Sequence, residues 1–190
     1  KMSDASCERF EKHCHSHYEY IFLVQADCDY VVEDKTYRVK TGDSILIPPG
    51  KYHFLKPGDM KTYDRAVFSF SEDLFPYEGF HEDVVAMGNY FPSESYPEST
   101  GKAQEFLSLC RDMNEQRSAI YADAALTEIF LLLLSAPKIE TDLPDESLCS
   151  RAIRYIADNL SDIQSTDDIA KGLFSSRSAL QHAFRKNLDI

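Results

Sequence analysis

The sequence predicts an α+β fold: an antiparallel β-barrel or sandwich at the N-terminal end, helices after it, and a partial unit of three short helices at the C-terminal end. Three observations carry this. Between Glu19 and about Phe70, short β-rich runs alternate with turn residues. From about Pro97 the apolar residues recur at helical spacing, and the last 44 residues hold three short helical patterns with only a few residues between them. A chain of 190 residues with 43% hydrophobic content has enough apolar material for a sizeable core, which excludes disorder over most of its length.

The β-runs are YEYIFLV, CDYVV, TYRVK, SILIP and, after a long polar stretch, RAVFSF. Glu33-Asp34-Lys35, Thr41-Gly42-Asp43 and Pro48-Pro49-Gly50 are the turns, spaced too closely for parallel βαβ units. An irregular aromatic stretch is expected through Tyr96, then helices over about 97–114 and 121–135. Leu126, Ile129, Phe130, Leu133 and Leu134 fall on one broad face of the second helix, to be buried against the sheet or a second subunit. Lys138 to Asp145 has the composition of a linker. Ser147 is placed to cap the first C-terminal helix, Ser165 or Thr166 the second, with Asp167 and Asp168 in its first turn, and Ser175 or Ser176 the third. The resulting division is 1–95, 96–140 and 147–190.

The charge is unevenly distributed. The net charge of −12 argues against a nucleic-acid partner for the chain as a whole. Residues 147–190, however, carry six basic and five acidic side chains, a net of +1, against −13 for the first 146. Only the C-terminal segment suits DNA. The longest uncharged apolar run, Ile129 to Leu134, is too short to cross a bilayer, so no membrane partner is expected. Five cysteines without a CxxC pair, behind no recognisable signal segment, read as reduced thiols in the cytoplasm.

His13-Cys14-His15-Ser16-His17-Tyr18-Glu19 brings His-x-His and a carboxylate to the mouth of the first strand. Residues two apart in an extended chain share a face, so His13, His15 and Glu19 converge, and His17 forms a second His-x-His with His15. Gly42, Pro48, Gly50 and His53 follow at fixed spacing and supply a fourth donor. The two segments resemble the paired signature motifs of the cupin superfamily, small antiparallel barrels whose matched positions are three His and one Glu. The first motif departs from the pattern near Gln25-Ala26, where a Gly is expected, and the second at Lys56 or Pro57, where an Asn is expected. Two readings of His13, His15, Glu19 and His53 stand: ligands of a divalent transition metal (Zn, Mn or Fe), or hydrogen-bonded polar groups at a ligand cavity.

The C-terminal run RAIRYIADNL, then STDDIAKGLFSSRSALQHAFRKNLDI, resembles the first half of the DNA-binding domain of the AraC/XylS family of bacterial transcriptional regulators. Ile153, Tyr155 and Ile156 match its leading helix, Asp168-Ile169-Ala170 the helix before the turn, and Ser176, Leu180, Phe184, Arg185 and Lys186 the reading helix. Asp189 stands where the family usually has Gly. The resemblance implies a helix-turn-helix and a second one beyond Ile190, so the chain is expected to be part of a longer protein. It also implies a cupin-like sensing domain in front, a helical dimerisation region between, and a homodimer whose DNA-binding parts are repositioned by a small-molecule effector. Arg177, Ser178, Gln181, His182, Arg185 and Lys186 are then the DNA-facing residues, with Arg suited to guanine, Gln to adenine and the C-terminal basic pair to phosphate. Tyr20, Phe22, His53 and Phe68 are the expected effector contacts. The competing function is a metal-dependent cupin enzyme of the isomerase or dioxygenase class, using His13, His15, Glu19 and His53 as ligands, although an enzyme has no need of a helix-turn-helix.

Overall fold

Strand β1 (Tyr18–Gln25) is apolar on both faces, and this decides its place in the architecture. Tyr18, Tyr20 and Phe22 point one way, Ile21 and Leu23 the other, and all five are buried. The computed structural model describes residues 12–56, 63–110, 113, 115–137 and 147–188. Among these, β1 pairs antiparallel with β4 (Ser44–Ile47) and β6 (Asp64–Phe70), setting Tyr20 opposite Leu46 and Phe68. The two-residue strand β7 (Tyr90–Phe91) completes a sheet in the order β6-β1-β4-β7. A second sheet, β3-β2-β5, contains β2 (Asp27–Val32), β3 (Lys35–Lys40) and β5 (His53–Lys56).

The chain crosses from the first sheet to the second at Ala26, directly after a register shift between Leu23 and Gln25. Ile21, Leu23, Ile45 and Ile47 of one sheet pack against Cys28, Val32, Val39 and Leu55 of the other. The expected barrel is therefore present as two facing sheets that do not close. Pro48 and Pro49 lie between β4 and β5 and lack backbone donors, so the ladder cannot continue around that side.

The outer face of the first sheet is covered by helices. These are α1 (Phe80–Met87), α2 (Pro97–Cys110) and α3 (Glu115–Ser135). Phe106 of α2 lies 4.9 Å from Phe68, and Phe130 of α3 sits among Phe70, Phe75 and Phe80 at 5.5, 4.8 and 5.7 Å between ring centroids. Leu126, Ile129, Phe130 and Leu133 of the expected stripe are buried in one cluster with Phe68 and Phe70 of the sheet, Phe80 of α1 and Phe106 of α2, while Leu134 is only partly buried. Residues 117–135 are long and apolar enough to cross a membrane by length and composition. The stretch expected to be irregular up to Tyr96 contains α1 and β7, and α3 begins six residues before the expected 121.

Asp43 anchors the β3–β4 turn to β7. Its carboxylate is 3% exposed and accepts from the amides of Lys40 and Ser93, both at 2.9 Å, and from the Tyr90 hydroxyl at 2.7 Å.

The C-terminal unit consists of α4 (Leu148–Asp158), α5 (Thr166–Gly172) and α6 (Arg177–Leu188), packed on Ala152, Ala170 and Leu180. Two of its helices, α4 and α6, are capped by the expected serines, whereas at α5 the Ser165 side chain caps no helix amide. Ser147 Oγ accepts from the amide of Ser150 at 3.1 Å, and Ser176 Oγ from that of Ala179 at 3.1 Å. The Asp168 carboxylate accepts from the Ser165 hydroxyl at 2.9 Å, closing the start of α5. Cys7, the linker expected at Lys138–Asp145 and Asp189 lie outside the described residues.

Candidate functional site

The alternation of β1 sends Glu19 to the inter-sheet side together with Ile21 and Leu23, close to the start of β5, where His53 opens the strand. The preceding segment runs alongside, and His13 pairs with His53 as an isolated antiparallel bridge. His15 Nε2 lies 3.3 Å and His53 Nε2 3.6 Å from the same oxygen, Glu19 Oε2. His17 Nε2 approaches the other oxygen, Oε1, at 3.8 Å. The structure thus brings His15, Glu19 and His53 together and adds His17. His13 stays exposed, its ring 4.3 Å from that of His53 and 6.3 Å from that of His15.

Hydrogen bonding fixes the imidazoles. His15 Nδ1 donates to the carbonyl of His17 at 2.8 Å, and His53 Nδ1 to that of Lys51 at 3.1 Å. A carbonyl can only accept, so in each neutral ring the proton sits on Nδ1 and the Nε2 lone pair is left facing outward. Both Nε2 atoms are buried without a hydrogen bond among the described residues, and both look toward a carboxylate oxygen that is itself an acceptor. A carboxylate oxygen faced by two imidazole Nε2 atoms suits a positive charge among them, either a proton on a ring or a cation held by all three. Burial lowers the His53 pKa against the raising effect of its Glu19 contact and so favours the neutral ring. Burial by itself would raise the Glu19 carboxyl, but hydrogen bonds and positive charge from the His15 and His53 rings, when Nε2 carries a proton, outweigh it and hold the group well below the usual carboxylate range; a cation bound among them would act in the same sense. Among the described residues, one ligand atom each of His15, His17 and Glu19 lie within 4.8 Å of one another, and His53 Nε2 lies 3.6 Å from the same Glu19 oxygen that faces His15, a donor set that would suit a divalent transition metal. The second shell is also in place, because a metal-bound His normally donates its other ring N–H to a carbonyl.

The expected effector contacts do not gather around this site. Tyr20, Phe22 and Phe68 occupy the opposite face of the first sheet, buried under the helices with Phe106. Of that set only His53 faces the inter-sheet space. Sequence reasoning missed Arg65, Tyr30 and Tyr63. Arg65 is paired opposite Leu23 on the inner side, its guanidinium 5.7 Å from the Tyr63 ring centroid, and Tyr30 stacks on His53 with centroids 6.3 Å apart. The alternation of β6 carried the signal for Arg65. In the C-terminal unit, Arg177, Ser178, Gln181, His182, Arg185 and Lys186 are all exposed on α6.

Residues 4–134 match the AraC-like ligand binding domain. By fold, the chain is similar to the AraC-like transcriptional activator CuxR, with a TM-score of 0.54 and 13% identity over 90% of this chain and 61% of that one. It is also similar to an apo variant of ToxT from Vibrio cholerae, with a TM-score of 0.51 and 13% identity over 94% of this chain and 69% of that one. The chain therefore spans about three fifths of the length of CuxR. No curated protein sequence matches it.

Proposed function

Since the chain belongs to the AraC-like ligand binding domain family, we propose that it is the sensing part and the first DNA-contacting part of a cytoplasmic, effector-responsive transcriptional regulator that works as a homodimer. One observation carries the reading. The same chain that holds the sensor fold ends in a three-helix unit whose last helix exposes Arg177, Ser178, Gln181, His182, Arg185 and Lys186. In this reading α5 and α6 are a helix-turn-helix and α6 enters the major groove, where Gln181 and the arginines read base edges and Lys186 neutralises phosphate.

The dimer seam is assigned to α3. Ile120, Ala124, Thr127 and Leu131 are exposed at spacings of four, three and four residues, on the side away from the sheet. Ile120 is 74% and Leu131 59% exposed, more than a lone apolar side chain on a solvated helix needs.

The sensing site is assigned to His15, Glu19 and His53, with His17 beside them, and its occupant to a divalent transition metal. The convergence of the buried Nε2 atoms of His15 and His53 on one Glu19 oxygen supports this over a purely organic ligand. Such an ion supplies positive charge and a fixed cross-link between the segment 13–17 and β5. A metal-dependent isomerase or dioxygenase needs the same donors, but the relatives by fold are regulators, which favours the sensor.

The test of DNA binding is selection of duplexes from a random pool by the purified chain, followed by anisotropy titrations at two salt concentrations. An enriched sequence is expected, with affinity falling steeply with salt and Arg185→Ala costing about 1–3 kcal/mol on that sequence. Absence of any enriched sequence at either salt sinks the regulator reading. For the site, isothermal titration with zinc is expected to give one ion per chain, lost in His53→Ala.

A further inference from the structure

Two turns of the sensor domain carry the imidazole site on one side and α4 on the other. The turn before β5 is stitched to the segment 13–17 by three backbone bonds. Gly50 N–H donates to the His15 carbonyl at 2.8 Å, and His13 and His53 exchange bonds of 3.2 and 2.9 Å. On its other side this turn is the seat of α4. A Cβ on Gly50 would lie 2.7 Å from the carbonyl oxygen of Ser150 and 3.2 Å from Cβ of Ile153, and its φ of +80° also requires glycine. Glu33, at the β2–β3 turn, completes the contact. Its backbone N–H donates to the Tyr52 carbonyl at 2.9 Å, and its Oε1 accepts from the hydroxyls of Ser147 at 3.0 Å and Ser150 at 2.6 Å. The carboxylate thus sits at the first turn of α4, where the helix dipole favours negative charge. Glu33 has φ +52°, uncommon for a residue with a side chain, so its backbone is held in a conformation that aims the carboxylate there.

We propose that Glu33 and the Pro48–His53 turn form a latch that reports the state of the imidazole–carboxylate site to α4, and that a divalent metal held by His15, Glu19 and His53 steadies the docked helix. The inference rests on the metal assignment made above. His15 and His53 belong to two segments joined by the backbone bonds just described and by ring contacts, and donors bound to one ion would cross-link those segments further. The turn that seats Ser150 and Ile153 then loses freedom before α4 docks, so docking costs less entropy when the site is filled. Linkage makes the effect reciprocal: whatever factor the metal adds to docking, docking adds to metal affinity. Because α4 also packs on α6, its position sets that of the surface proposed to meet DNA.

The experiment uses the 190-residue chain. Hydrogen–deuterium exchange read by mass spectrometry, with and without zinc, follows amides of α4, while calorimetry measures zinc affinity in the wild type, in Glu33→Gln and in the double variant Ser147→Ala, Ser150→Ala. Gly50→Ala is avoided as the main probe because it strains the turn itself, and unchanged exchange protection in β1 and β4 checks that the variants fold. Zinc is expected to slow exchange in the first two turns of α4 by about fivefold or more. Both variants are expected to bind zinc more weakly by about the same factor, although neither touches a ligand. Zinc binding with α4 exchange unchanged, or with affinity unchanged in both variants, overturns the latch and leaves the metal site standing. Failure of the wild type to bind zinc overturns the metal site and the latch mechanism with it.

Discussion

Two backbone carbonyls determine what His15 and His53 can do. By accepting from Nδ1 they leave Nε2 as an acceptor, and the alternation of β1 puts the Glu19 oxygen in front of both. The proposed cation chemistry of these residues rests on how their neighbours orient both rings toward one carboxylate. Asp43 shows the same logic in a structural role. It is a buried carboxylate that accepts from two amides and a phenol, so its charge is compensated entirely by local donors. Asp43→Ala leaves the amides of Lys40 and Ser93 without that acceptor and is expected to lower stability by about 3 kcal/mol. Urea unfolding of the two proteins measures this, and a loss below about 1 kcal/mol would mean that water replaces the carboxylate without cost.

At the scale of elements, α3 carries two stripes, one buried in the sensor and one exposed that is proposed to meet a second copy. Phe130→Ala removes a ring packed among Phe70, Phe75 and Phe80 and is expected to cost about 3–5 kcal/mol of folding stability. Leu131→Asp, one residue away on the exposed stripe, is expected to leave stability within about 0.5 kcal/mol while shifting the chain to monomer in sedimentation equilibrium. A dimer that survives Leu131→Asp together with Ile120→Asp places the seam elsewhere. The buried stripe was legible in the sequence because Leu126, Ile129, Phe130 and Leu133 repeat at the helical period. The short elements were not: β5 has four residues and β7 two, and α1 is an eight-residue helix, so tertiary packing decides their conformation. Spacing puts His15 and Glu19 together but also His13, which stays exposed, and His53 joins them through the resemblance of the segment from Gly42 to His53 to a cupin motif. Tyr20, Phe22 and Phe68 could not be placed, because alternation says which residues share a face but not which face is inward when both are apolar. The Glu33–Ser147 contact joins positions 114 residues apart and leaves no local signal.

The whole molecule joins two unequal parts. The sensor has two large apolar cores, one between the sheets and one under the helices. Among the described residues, the internal core of the C-terminal unit is Ala152, Ala170 and Leu180, with Leu148, Ile169, Leu173 and Phe184 partly covered around them. That is too little apolar surface for so short a segment to offset its chain entropy without support. The support comes from the sensor, through Glu33 and Gly50. Charge works against the arrangement, since an acidic sensor at −13 sits beside the part proposed to approach phosphate. The contact therefore has to be specific, a capped helix terminus against a glycine turn, and not a general attraction. A synthetic peptide of residues 147–190 is accordingly expected to show weak helicity by circular dichroism at 25 °C and no cooperative melt. In the intact chain, amides of α4 and α6 should exchange slowly, and Glu33→Ala should speed them while β1 and β4 keep their protection. A peptide that melts cooperatively by itself would show that the three helices stand without the sensor, and the Glu33 contact would then position a folded unit instead of completing one.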